Sequence, residues 1–220
     1  MKHFSRNTID ELDHLFRINL INSCSGYKSA NLIGTQSREG ISNLAIFSSV
    51  IHMGSNPPLL GFVLRPTKVA RHTYTNIKDS AYYTINHVPF SIAEEAHHTS
   101  AKYGEEVSEF DMTGLQEEIK NGFYAPFVSG APVQMGMKFI EEHFIKSNET
   151  LLIIGEIKDL FINSELLEED GYVNLSKGEI ATISGLDGYS LPVQTKRFGY
   201  QRPRELNDPV TTREKGWSKF

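Results

Sequence analysis

The chain has 220 residues, of which 39% are hydrophobic and 22% charged, enough for one compact core; its formal net charge of −5 argues against a nucleic-acid binder, whose partner demands a basic surface. No apolar run approaches the roughly 18 residues that span a bilayer, and Met1 to Asn7 is not followed by a signal-peptide core, so a soluble, cytoplasmic protein with no membrane role is expected. Cys24 is the only cysteine, which excludes an internal disulfide and a multi-thiolate metal site and predicts a small buried or half-buried side chain there.

Residues 9–16 carry Leu and Phe at helical spacing, with Thr8 as the expected N-cap and Glu11 three residues on. Residues 17–23 alternate apolar and polar, which predicts a strand, and 30–36 predict a second. Ser37-Arg38-Glu39-Gly40 then turns the chain into a longer strand, Asn43 to His52, in which small and hydroxyl side chains sit among β-branched and aromatic ones. Asn56-Pro57-Pro58 makes a rigid turn into the apolar run Leu59 to Leu64. A basic turn follows, then a helix over 70–79, a strand over 81–88 and a helix over 91–98. Residues 104–136 show little periodicity beyond a short helix over 114–120. Phe110, Phe123, Tyr124 and Phe127 suit that stretch to packing over a site or across a subunit boundary. Residues 137–146 and 150–162 predict a hairpin, its second member buried on both faces. The predicted domain is 1–203, followed by a polar tail, 204–220, that holds Trp217 and Phe220. Strands joined by short turns favour antiparallel pairing and a mainly β fold.

Arg65, Lys68, Arg71, His72 and Thr73, with the Thr67 hydroxyl, cluster where a strand gives way to a helix start. Open N–H groups, the positive end of the helix dipole and the planar fork of arginine make such a place a natural phosphate site. Upstream, Ser48 and Ser49 lie on a strand whose small side chains let a flat ligand approach the backbone. A ring at one end and a phosphate at the other is the expected ligand. Glu94/His97 and Glu95/His98 have Glu-x-x-His spacing, but a carboxylate-bridged metal site needs glutamates from other long helices, so no metal is expected. No nucleophile elbow, Walker loop or Gly-x-Gly-x-x-Gly fingerprint is present.

In order, Asn43 to Ser49, Pro57-Pro58, Leu59 to Leu64, Arg65 to Thr73, Tyr83-Thr84-Ile85-Asn86, Thr99 to Lys102, Val107 to Phe110 and Thr150 to Ile157 resemble the flavin reductase-like, FMN-binding split-barrel family, including its flavoredoxin-like branch. The resemblance covers most of the chain from about residue 29 to 202. It implies a six-stranded antiparallel FMN-binding split β-barrel with peripheral helices, homodimeric, with one FMN per subunit near the subunit boundary. On the same ground Asn43, Ala45, Ile46, Phe47, Ser48 and Ser49 line the ring. Arg65, Lys68, Arg71, His72 and Thr73 meet the phosphate, and Asn86, Ser100 and Lys102 contribute further. Arg71-His72-Thr73 stands where many relatives have a Lys-Asp-Thr-like triplet. The implied activity is hydride transfer from NADH or NADPH to flavin N5, then electron delivery to free flavin, oxygen or a redox protein partner. A non-catalytic flavoredoxin-like electron carrier and an FMN-binding module are the alternatives. No catalytic acid, base or nucleophile is required, because the cofactor carries the chemistry.

Overall fold

Period-two alternation through most of the chain resolves into one large antiparallel sheet. The computed structural model describes residues 1–194 and 196–199, so the 204–220 tail with Trp217 and Phe220 lies outside the described residues.

Two helices open the chain, α1 (Arg6–Glu11) and α2 (His14–Cys24), followed by the short strand β1 (Lys28–Ser29). Here a helix over 9–16 and a strand over 17–23 are corrected to two consecutive helices. Ser5, not Thr8, caps α1 by accepting the Thr8 N–H at 3.2 Å. The Asp13 carboxylate accepts from the Leu15 and Phe16 N–H groups at 3.0 and 3.2 Å and starts α2. The alternation over 18–23 meets no partner strand. Its polar members instead bond back along the helix, Asn22 Nδ2 to the Ile18 carbonyl at 2.8 Å and Ser23 Oγ to that of Asn19 at 2.7 Å. Cys24 is exposed rather than buried, because α2 buries none of its residues.

The sheet contains β2 (Asn31–Gln36), β3 (Ser42–Phe47), β4 (Ile51–Ser55), β5 (Pro58–Leu64), β6 (Tyr82–His87), β9 (Val133–Ile145) and β10 (Thr150–Ile162), in the order β3-β2-β6-β9-β10-β5-β4. All neighbours pair antiparallel. The mainly β, split-barrel expectation holds, with seven strands in place of six. The extra strand arises because the stretch from Asn43 to His52 divides at Ser48–Val50: β3 and β4 are consecutive in the chain yet lie on opposite edges of the sheet. That connection is short only if the sheet curls until its edges approach, which is barrel closure. Ser49 secures it, donating from Oγ to the Val63 carbonyl at 3.0 Å and accepting from the Val63 N–H at 3.1 Å.

The barrel interior is filled by Ile33, Phe62, Tyr83, Ile85, Met135, Met137 and Ile153, with Phe47 edge-on to Phe62 at 5.0 Å. Helix α3 (His72–Ser80) contributes the buried Ile77 to the same core. The β9–β10 hairpin is as expected, with Ile153 and Ile154 both buried, though β9 begins at Val133. On the outer face sit α4 (Ala93–His98), entered through a short 3-10 turn, and α5 (Glu109–Thr113). The expected helix over 114–120 is corrected: α5 precedes it, and Gly114 ends α5 at φ +75°. Residues 117–118 instead form β7 (Glu117–Glu118), paired with β8 (Phe127–Val128). The aromatics of 104–136 pack on this subunit's own sheet, Phe123 against Tyr82 at 5.6 Å and Phe127 against Phe161 at 5.4 Å. Two further strands, β11 (Thr182–Ser184) and β12 (Gly188–Ser190), join β1 in a small sheet. Among the described residues no helix is long and apolar enough to cross a membrane.

Candidate functional site

Two side-chain links, one from the start of β3 and one from just beyond its end, tie this strand to the basic turn. Ser49 holds the crossing to Val63, two residues before Arg65, as described above. Asn43 on β3 accepts at Oδ1 from the Thr73 hydroxyl at 3.0 Å, joining β3 to the first turn of α3. The second link belongs to a buried polar ladder. Asn76 Nδ2 donates to Thr35 Oγ1 at 3.1 Å, and Thr35 donates to Asn43 Oδ1 at 3.2 Å. Asn43 Nδ2 donates to Glu109 Oε2 at 2.6 Å, and the same oxygen accepts from the Leu44 N–H at 2.8 Å. The carboxylate can only accept, so it fixes the Asn43 amide with its oxygen toward the two threonines. Every member is under a tenth exposed. Glu109 lies in the Val107–Phe110 segment that carries the family resemblance, but the sequence assigns it no role, since its partners lie 65 and 66 residues away.

Around this frame the binding elements stay open. Ser42, Asn43 and Leu44 are buried, but Ala45, Ile46, Phe47, Ser48 and Ser49 are half-buried. The Leu44 N–H points off the sheet edge toward Glu109, so by strand periodicity the Ile46 N–H points off the same edge. An apolar surface bordered by an edge donor suits a flat ring with an apolar and a polar end. At the other end, α3 starts with Arg71 as N-cap, without a side-chain capping bond and without an acidic residue in its first turn. Its first N–H groups are thus free for an anion. Arg71 Nε is sealed from solvent and lacks a hydrogen-bond partner. A buried guanidinium donor left unpaired is costly, and a phosphate oxygen is the acceptor it fits. His72 is half-buried as the first residue of α3, whereas Arg65 and Lys68 are exposed. Lys68 is held by Glu149 at 2.5 Å, an exposed pair of little energetic weight.

Residues 26–181 match the flavin reductase like domain family. The chain belongs to that family. A split-barrel protein from Shewanella frigidimarina, provisionally named a flavin reductase, is similar in structure at TM-score 0.88 and 45% identity, over 91% of this chain and all of that one. Flavoredoxin of Desulfovibrio vulgaris shares the fold at TM-score 0.69 and 23% identity, over 80% of this chain and 92% of that one. An FMN-binding protein from Thermus thermophilus does so at 0.65 and 18%, over 79% and 90%.

Within this flavin reductase-like domain the remaining expected residues are placed as follows. Asn86 is fully buried and saturated: Nδ2 donates to the Leu32 carbonyl at 3.1 Å and to Thr84 Oγ1 at 2.9 Å, while Oδ1 accepts from the Val128 N–H at 3.1 Å. Thr73 has its hydroxyl proton committed to Asn43, which leaves its N–H as the group open to a ligand. Ser100 and Lys102 are exposed just beyond α4, on the outer side of the sheet. His97 and His98 meet Tyr189 at 3.1 Å and Tyr103 at 2.7 Å, and no group of three metal-ligating side chains converges among the described residues. A cavity of about 580 Å³ runs beside the start of β3, lined by Glu106, Asp111 and Glu117 and by no Lys, Arg or His. Carboxylates repel a phosphate, so this cavity is assigned no part in flavin binding.

Proposed function

We propose that this protein binds FMN, with the ring against the Ala45–Ser49 end of β3 and the phosphate at the start of α3. Arg71 and the N–H groups of the first α3 turn grip the phosphate, with Arg65 adding positive charge from the exposed side of the turn. Ile46 and Ser48 offer backbone donors to the polar edge of the ring, and Phe47 gives it an apolar floor. Asn43, Thr73 and Ser49 act one step back: they hold the two binding segments at a fixed separation. FMN, when bound, supplies a hydride acceptor for NADH or NADPH and returns the electrons to flavin, oxygen or a redox protein. The protein's share is position and electrostatics. Reduced nicotinamide would reach the ring directly, since the chain has no Rossmann fingerprint. A homodimer working in the cytoplasm completes the reading.

The observation that carries this reading is the unpartnered, buried Arg71 Nε beside an uncapped helix start. It gives a test with two opposite signs. Arg71→Ala is expected to raise the FMN dissociation constant at least about tenfold, the equivalent of one charge-assisted hydrogen bond. The same substitution removes an orphaned donor from the flavin-free protein, so the melting temperature of the apoprotein should hold or rise. Fluorescence titration with FMN and thermal melts measure both; unchanged FMN affinity sinks the assignment. Similarity to the flavoredoxin fold supports the second reading, an electron carrier that reacts slowly with nicotinamides. Anaerobic mixing with NADH and with NADPH decides between them: prompt bleaching of the yellow flavin band identifies a reductase, and a persistent band the carrier.

A further inference from the structure

Between Lys102 and Lys120 the chain carries six acidic residues and no basic one, more negative charge than the net −5 of the whole protein. Three of them, Glu106, Asp111 and Glu117, are exposed and line the cavity of about 580 Å³ beside the start of β3. They come from the turn before α5, from α5 itself and from β7. None of the three side chains has an ion pair or hydrogen bond among the described residues, whereas the neighbouring Glu118 is paired with Lys120 at 3.2 Å. Phe110 and Leu115 give the cavity an apolar wall and pack with Leu44 of β3 in one cluster. Ser42 also lines the cavity and, by strand periodicity, shares the Leu44 face, so its side chain is directed into the same space. Ser42 is 8% exposed, and its hydroxyl has no hydrogen-bond partner among the described residues. Buried polar groups are normally hydrogen-bonded, so this hydroxyl marks a place for a polar group that the chain itself does not supply.

We propose that this cavity binds an aliphatic oligoamine, a small molecule with two or three ammonium groups joined by methylene chains. Its volume falls within the roughly 300–1,000 Å³ of small-molecule sites. A concave surface lined by one sign of charge focuses its field and concentrates ions of the opposite sign, which selects a cation. A metal ion is the wrong cation, because it needs oxygens that converge on one point at about 2.0–2.6 Å. No group of three metal-ligating side chains converges among the described residues. Carboxylates spread around a cavity instead match positive charges spread along a flexible chain. An ammonium group donates and cannot accept, so it suits the three carboxylates and the open acceptor of the Ser42 hydroxyl alike. The methylene groups then lie against Phe110 and Leu115. A monoamine would leave two of the carboxylates without a counter-charge. None of the proposed flavin-binding residues lines this cavity, so the proposal stands apart from the flavin reading.

Calorimetric titration of the full chain with the triamine spermidine at low ionic strength tests this. The wild type should bind one equivalent, and its melting temperature should rise with triamine concentration, as for any ligand that binds only the folded state. Glu106→Gln/Asp111→Asn/Glu117→Gln should weaken binding at least about tenfold. Glu11→Gln/Glu165→Gln/Glu169→Gln, the same charge change at exposed positions elsewhere, should leave it unchanged. Ser42→Ala is the sharper variant. Its hydroxyl bonds to nothing in the chain, so the melting temperature of the free protein should hold while the triamine binds about fivefold more weakly, the equivalent of one hydrogen bond. Hexylamine, with one ammonium group, and Mg²⁺ should bind more weakly than the triamine. Equal binding of Mg²⁺, equal losses in the two triple variants, or full affinity in Ser42→Ala would reduce the effect to loose counter-ion attraction and overturn the site. A response to an oligolysine peptide without one to the triamine would make this a protein-docking surface and overturn it as well.

Discussion

Glu109→Ala should lower the unfolding free energy by about 3 kcal/mol and weaken FMN binding at the same time, although Glu109 is not proposed to touch the flavin. The stability loss comes from two donors. With the carboxylate gone, Asn43 Nδ2 and the Leu44 N–H are both left buried without an acceptor, at about 1–3 kcal/mol for each unsatisfied group. The affinity loss follows from what Asn43 holds: its Oδ1 fixes Thr73 in the first turn of α3 and Thr35 on β2. Once the Asn43 amide is free to rotate, the helix start is no longer registered against β3. Glu109→Gln separates the two consequences. Its side-chain carbonyl can still accept from both donors, so the frame and most of the FMN affinity should return, with only the charge-assisted part of the bonds lost. Urea titration gives the first quantity and FMN titration the second. If alanine and glutamine behave alike in both, the ladder does not set the geometry of α3.

This ladder also shows what the sequence leaves hidden. Strands over 30–36, 59–64, 81–88 and 150–162 are legible because each is an apolar or β-branched run bounded by turn residues, and each is present in the sheet. The opening helices are not, because a six-residue stretch such as Ile18 to Ser23 satisfies a period of two or of 3.6 about equally well. The decision rests on the Asp13 cap. The division of the 43–52 stretch is beyond local reading, since Ser49 ends β3 through a bond to Val63, 14 residues on. The basic helix start at Arg71 was legible from residue types in one short window. The saturation of Asn86 and the commitment of the Thr73 hydroxyl were not, because residue type shows which donors exist and only the fold shows where they are spent.

Acid should unfold this protein through one identifiable group besides its carboxylates. His87 ends β6 opposite Asn31 of β2, and Phe47 of β3 faces Asn31 from the other side, so the three form one row of the sheet. Asn31 is fully buried with its Oδ1 unpartnered, and His87 Nδ1 is likewise sealed and unpartnered. Burial alone lowers the His87 pKa from the usual 6.5 to about 4. Between those two values the unfolded chain holds a proton that the folded one does not, so stability falls as pH drops through the window and levels off below about 4. The full window is worth at most about 3–4 kcal/mol, at about 1.4 kcal/mol per unit. His87→Gln keeps a polar side chain that stays neutral throughout. Urea titrations of both proteins at pH 7 and pH 4.5 isolate the effect, because every carboxylate is common to the two. The wild type should lose about 2 kcal/mol more than the variant between those pH values; parallel losses mean that His87 already reaches solvent in the folded protein and takes up its proton without opposing the fold.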